Sequence, residues 1–149
     1  LKNSIYDKKK IDLMVDAIDK QLLDILKDNS RLSFADLGRK INLSPSAVRE
    51  RVQKMEDIGV IQKYHIQIDN KKLGYELEAF ILLKVFPGQL KHVLKKITDF
   101  PEIKEAHRIT GNQNLHLKVV IKNQLCLQKL LDQLMIFGNT NTFLILSEI

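Results

Sequence analysis

The chain has 149 residues, room for one ordinary domain or two small ones, and 44% of them are apolar, enough for a packed core. Aromatic residues make up only 6% and tryptophan is absent, so that core has to be built from Leu, Ile and Val. A formal charge of +6 favours an acidic partner, nucleic acid among them, while a single cysteine excludes an intrachain disulfide and a cysteine-rich zinc site.

No stretch approaches the roughly 18 consecutive apolar residues of a membrane span. The first residues are too charged for a secretory leader. The expected setting is therefore a reducing cytoplasm, without a membrane partner. Cys126, at helical spacing among apolar neighbours, reads as a packed structural thiol rather than a reactive one.

Residues 1–15 carry Lys8, Lys9 and Lys10 with no cap or turn signal, and read as an N-terminal arm with a solvated charge run. A first helix is predicted over 17–29, capped by Asp16 with Asp19 in its first turn, and Ile18, Leu22, Ile25 and Leu26 form its apolar stripe. A second, shorter helix is predicted over 34–41 behind Ser33, with Asp36 completing a capping-box-like pair. Asn42 and Leu43 turn the chain. Ser44 then caps a third helix whose first residue is Pro45, a position where the missing N–H costs nothing. Val48, Val52 and Met55 are its buried stripe, and Gly59 stops it. Residues 60–68 alternate apolar and polar, which predicts a strand.

Past residues 69–74 the rhythm changes. Strands are predicted over 79–86, 103–110, 115–122 and 142–149, and helices over 90–100 and 125–137, the second stopped by Gly138-Asn139. Gly111-Asn112-Gln113-Asn114 suits the hairpin between the two middle strands. This order is the ferredoxin-like split βαβ pattern. The expected chain is thus α+β: the arm over 1–15, a winged helix-turn-helix over 16–68, a linker over 69–78, and a ferredoxin-like βαββαβ domain over 79–149.

Three short helices followed by a strand fit a DNA-binding winged helix-turn-helix. The third helix must bury one face and offer the other to the major groove. With Val48, Val52 and Met55 inward, Ser46, Ala47, Arg49, Glu50 and Gln53 fall on or near the outward side. Small residues at the helix start allow close approach to the groove. Arginine can fork to guanine O6 and N7, and glutamine can pair with adenine. Ser44, Ser46 and the free N–H groups of the first turn can accept a phosphate. Arg51 lies nearer the buried side, where it either braces the domain or meets backbone phosphate. The competing reading is a solvated basic helix in which Glu50 and Glu56 pair the cations.

The stretch DAIDKQLLDILKDNSRLSFADLGRKINLSPSAVRERVQKMEDIGVIQKYHIQID, with Leu73-Gly74 after it, resembles the N-terminal half of the Lrp/AsnC (feast/famine) transcription regulators. The string LSPSAVRERV…GVI carries most of that resemblance. Residues 79–149, ending in Thr140-Asn141-Thr142-Phe143-Leu144-Ile145-Leu146, are similar to the family's effector domain. The resemblance implies homodimers paired through the C-terminal sheets, often assembled into octamers, that bind double-stranded DNA and an amino-acid effector. It places the effector candidates at Thr110, Gly111, Asn112, Asn114, Thr140 and Thr142. One departure stands out. Where the family commonly has Gly-Asp-x-Asp, this chain has Gly111-Asn112-Gln113-Asn114. Amides offer an ammonium only neutral hydrogen bonds, roughly half as strong as those of carboxylates. A different ligand, weak binding, or a purely structural hairpin all remain open on these residues.

Three alternatives belong to other classes. Sirohaem decarboxylases share this two-domain architecture and use C-terminal histidines, but their characteristic stretches are not evident in LGYELEAFILLKV. The others are a DNA-organising protein without an effector and a sensing module that has lost DNA binding; the intact surface from Ser44 to Gln53 argues against the latter. His65, His92, His107 and His116 show no metal-ligand spacing, although pairing of the middle strands would bring His107 near His116. No cofactor is expected, and no nucleophile-base pair or phosphate-cradling glycine loop is visible.

Overall fold

Local capping chemistry sets the N-terminal helices. The computed structural model describes residues 15–147; apart from Val15, the expected arm with its lysine run lies outside them. Helix α1 is Ala17–Asp28. At its start Asp16 Oδ1 accepts the Asp19 N–H at 2.8 Å, and Asp19 Oδ2 accepts the Asp16 N–H at 3.0 Å. Two donors that a helix start leaves orphaned are thereby satisfied. Helix α2, Phe34–Ile41, begins where Ser33 Oγ accepts the Asp36 N–H at 3.1 Å. It ends at Asn42, left-handed at φ 57°. Gly38 lets the turn fold back onto α2, because a β-carbon there would stand 2.4 Å from the Leu43 carbonyl oxygen. Helix α3, Pro45–Asp57, starts where Ser44 Oγ accepts the Ala47 N–H at 3.2 Å.

Leu22, Leu37, Val48, Val52 and Met55 are buried between these helices, each worth about 1.5–3 kcal/mol relative to exposure. Phe34, Leu43, Val60 and Ile61 close over this cluster.

The strand expected over 60–68 does not form, so among the described residues the helix-turn-helix has no paired wing. After Gly59 the N–H groups of Val60 and Ile61 both turn back to the Met55 carbonyl, and residues 62–69 join no ladder. Tyr64, Ile66 and Ile68 are 50%, 76% and 48% exposed. The alternation is a strand pattern, but a strand exists only with a neighbour to pair with. None of the described residues outside the C-terminal sheet offers one.

The chain divides into two compact units between Gln67 and Ile68. The second unit holds strands β1 (Leu77–Val85), β2 (Ile103–Arg108), β3 (Leu115–Ile121) and β4 (Gly138–Leu144), with helices α4 (Leu90–Lys96) and α5 (Gln124–Met135). Helix α4 tightens into a 3-10 turn over Ile97–Asp99. The sheet order is β2-β3-β1-β4 with every neighbouring pair antiparallel, the ferredoxin-like arrangement. Ala79, Ile81 and Leu83 from β1 and Leu115, Leu117, Val119 and Ile121 from β3 form the inner face, packed with Val93, Leu130, Leu134 and Phe137. Cys126 is half-buried at the edge of this cluster.

The last strand starts earlier than the expected 142–149. Gly138 is its first residue, not merely a helix stop: it pairs with Val85, and a β-carbon on it would lie 2.2 Å from the Lys84 carbonyl oxygen. Only glycine permits that approach.

Candidate nucleic-acid interface and effector loop

On α3 the buried stripe is the expected one, with Val48 and Met55 fully buried and Val52 4% exposed. Ser44, Ser46, Arg49, Glu50 and Gln53 are exposed and Ala47 is half-buried. The Ser44 and Ser46 hydroxyl oxygens lie 3.0 Å apart at the helix start. Gln53 Nε2 donates to Asp57 Oδ1 at 3.0 Å, one turn further along the helix.

The two central arginines are used differently. Arg51 Nη1 donates to Asp16 Oδ2 and to Asp19 Oδ1, each at 2.7 Å, and the Asp19 side chain is fully buried. Lys54 Nζ stands 3.9 Å from Asp19 Oδ2. These bonds, that to Asp19 foremost, raise the Arg51 pKa. Asp16 is held below the usual carboxylate range, first by the Asp19 backbone N–H and then by Arg51. Arg51 therefore ties α3 to the start of α1, the bracing member of the two roles its position allowed.

Arg49 makes no ion pair or hydrogen bond among the described residues; its guanidinium carbon lies 5.5 Å from the centroid of the Phe34 ring. Phe34 is the first residue of α2 and half-buried against the helical core. Sequence reasoning finds Arg49 and misses Phe34, because helical spacing relates residues within a helix and not across two.

Glu56, a possible partner of the α3 cations, instead accepts from the Tyr64 hydroxyl at 2.7 Å. Burial first, and then Glu56, push the Tyr64 phenol up to about 12. At the front of α2 Arg39 pairs with Asp36. The Asp36 carboxyl is lowered by the Ser33 hydroxyl first and by Arg39 second. A groove of about 420 Å³, lined by Leu23, Leu26, Ile61 and Tyr64 among others, lies beside α1 and contains none of the effector candidates.

In the sheet unit the effector candidates lie on the hairpin between β2 and β3 and along β4, on the two sides of β1. The Asn114 N–H donates to the Leu83 carbonyl at 2.9 Å, and Asn114 Oδ1 accepts the Val85 N–H at 2.8 Å. Thr140 pairs with Leu83 from the other side of β1, and Thr142 pairs with Ile81. Thr110, Gly111 and Asn112 form the exposed part of the loop, with Gly111 at φ 108°. Asn114 is thus committed to holding the hairpin on β1, with its amide nitrogen left over. Gln113, not among the candidates, carries a buried Oε1 without a hydrogen-bond donor. On the outer sheet face His107 does pair directly with His116, their ring centroids 6.3 Å apart, and His116 stacks on Phe80 at 4.9 Å. No group of three metal-ligating side chains forms among the described residues, and no helix there is long and apolar enough to cross a membrane.

Residues 15–56 match the AsnC-type helix-turn-helix domain, and residues 78–149 match the Lrp/AsnC ligand binding domain. The chain is 36% identical over 137 residues to the transcriptional regulator LrpB of Bacillus subtilis, covering 92% of each protein. The chain belongs to the Lrp/AsnC family. It is a transcriptional regulator with a ligand-binding domain. Identity to LrpC of Bacillus subtilis is 33% over 137 residues, covering 92% of this chain and 95% of LrpC. The solved LrpC structure superposes with a TM-score of 0.84 at 34% identity, covering 90% of this chain and 96% of the other. The AsnC structure from E. coli gives 0.78 at 27%, covering 90% and 93%. Among these Lrp/AsnC relatives the named proteins are regulators, which does not favour the sirohaem decarboxylase alternative.

Proposed function

We propose that this Lrp/AsnC regulator reads duplex DNA sequence-specifically with the exposed face of α3, as a homodimer whose C-terminal unit responds to an amino-acid-type metabolite. The observation that carries the DNA reading is the contrast on α3. Arg51 is spent on carboxylates, while Arg49 keeps its hydrogen-bonding edge. In this reading Arg49 and Gln53 face base edges, Ser44, Ser46 and the first-turn N–H groups take a phosphate, and Ala47 and Glu50 line the approach. Glu50 adds negative charge there and acts as a filter against wrong sequences.

A dimer has a physical reason: one recognition helix covers too few bases, and two-fold pairing doubles the contacts on a near-palindromic site. Phe143, Leu144 and Leu146 are 55%, 51% and 89% exposed on the last strand and beyond it, which supports pairing through this sheet; assembly of such dimers into octamers is what the family resemblance adds to the proposal. We propose the linker over residues 69–78, which starts just past the division between Gln67 and Ile68 and runs into the first two residues of β1. For the effector we propose the loop end of β1, where Thr110, Gly111, Asn112, Thr140, Thr142 and the spare Asn114 amide supply neutral hydrogen bonds.

A mobility-shift competition on genomic fragments at two salt concentrations tests the DNA reading. Selective binding that weakens steeply with salt is expected. Binding without sequence preference would overturn it. For the effector, a thermal shift with one of the amino acids at millimolar concentration is expected, and no shift with any of them would leave regulation without an amino-acid ligand.

A further inference from the structure

We infer that Phe34 is a positioning residue for DNA reading: its ring is the platform that holds the Arg49 guanidinium in place for a base edge. The inference rests on the reading that Arg49 contacts DNA.

Three observations carry it. Arg49 is exposed, and a free arginine side chain there samples many rotamers. Its guanidinium carbon nevertheless sits 5.5 Å from the Phe34 ring centroid, inside the range of cation–π attraction. The ring itself is fixed. Phe34 is the first residue of α2, behind the Ser33 cap, and packs against the cluster of Leu22, Leu37, Val48, Val52 and Met55. The close approach at Gly38 locks the α2–α3 turn and with it the spacing between ring and guanidinium.

The chemistry of the two contacts is compatible. A ring attracts the guanidinium through its π face, whereas guanine O6 and N7 are read by the in-plane N–H fork. An ion pair would consume the fork, as it does at Arg51. An aromatic platform orders the cation and leaves every donor for the base, so the ordering entropy is lost before DNA arrives. The platform thus acts on selective binding, where the fork must be aligned. It acts little on non-selective binding, which needs only the charge near a phosphate.

The test uses the full chain and a site recovered by selection, beside a scrambled duplex of equal length. Phe34→Leu keeps the apolar packing and removes the ring. It is expected to weaken binding to the selected site about two- to fivefold, the size of an exposed cation–π contact. Binding to scrambled DNA and the dependence on salt are expected to stay as they were. Phe34→Tyr, which restores the ring, is expected to restore selectivity. In an Arg49→Ala background Phe34→Leu is expected to add nothing, because the platform has no cargo. If Phe34→Leu weakens selected and scrambled DNA equally, or adds its full effect in the Arg49→Ala background, the inference is overturned. If Phe34→Leu does not fold, Phe34→Met and Phe34→Tyr decide: equal selectivity of the two also overturns it. If Arg49→Ala itself leaves selectivity unchanged, the parent reading of Arg49 fails as well, and the two failures are told apart by that single variant.

Discussion

Among the described residues, α1, α2 and α3 bury five apolar side chains together with one carboxylate, Asp19, whereas the sheet and its helices bury thirteen apolar side chains and no charged one. The small helical core is closed by a directional device. Asp16 and Asp19 cap α1 and at the same time grip Arg51 of α3, so the same two carboxylates start one helix and orient another. The sheet unit needs no such device, because four registered strands fix its geometry by pairing. The contrast teaches that the exposed face of α3, proposed to meet DNA, is aimed by polar contacts, and the sheet unit is held by apolar mass.

The largest effect is expected from breaking the polar brace. Arg51→Met leaves the Asp19 carboxylate buried with Lys54 at 3.9 Å as its remaining cation. Stranding one member of a fully buried pair costs about 3–5 kcal/mol; with the Arg51 side chain 28% exposed, about 3 kcal/mol is the expected loss. Denaturant unfolding followed in the helical unit measures it. A loss below about 1 kcal/mol would mean that the carboxylate finds water and the brace is dispensable. Replacing both partners, Asp19→Leu with Arg51→Met, is expected to recover most of the stability, since no charge is then stranded.

In the sheet unit the matching weak point is steric. Gly138→Ala puts a β-carbon 2.2 Å from the Lys84 carbonyl oxygen, so β4 has to move off β1. Overpacking of this kind costs about 1–3 kcal/mol. Hydrogen exchange of the β1 and β4 amides reads it locally, and unchanged protection there would show that the strand end shifts freely.

Aim and stability separate at Arg49. Arg49→Ala is expected to change unfolding by no more than about 1 kcal/mol, the size of its exposed cation–π contact with Phe34. Its selective DNA binding is expected to fall by about 1–3 kcal/mol. Equal loss on all sequences would reassign Arg49 to a phosphate contact.

What the sequence makes legible follows from range. Asp16, Ser33 and Ser44 cap their helices as read, because a cap concerns residues three apart. The βαββαβ order is readable for a similar reason, each strand and helix declaring its own period. Residues 60–68 mislead because alternation describes one side of a pairing whose other side is absent from the described chain. Gly138 reads as a helix stop, and its contact with the Lys84 carbonyl spans more than fifty residues. The site divides in the same way. The outward placement of Arg49 is written in the helical repeat, but the partners of Arg51 lie 32 and 35 residues away, and only the folded chain assigns them.

The smallest effect is expected at the acid edge of stability, and its sign follows from the caps. Asp16 and Asp36 both titrate below their ordinary value of 3.8, Asp16 through the Asp19 N–H and Arg51, Asp36 through Ser33 and Arg39. The unfolded chain therefore takes up protons at these positions before the folded one does. Their contribution is fully present above about pH 4 and is lost as pH falls through the lower, folded values. Both residues belong to the helical unit, so acid should loosen the helices while the sheet unit keeps its apolar core. Circular dichroism between pH 5 and 2, compared with amide exchange in β1 and β3, distinguishes the two. Asp16→Asn keeps an oxygen to cap α1 and removes the titration, and is expected to flatten the acid limb of the helical signal. A limb of unchanged steepness in that variant would place the acid sensitivity elsewhere and remove the caps from the comparison.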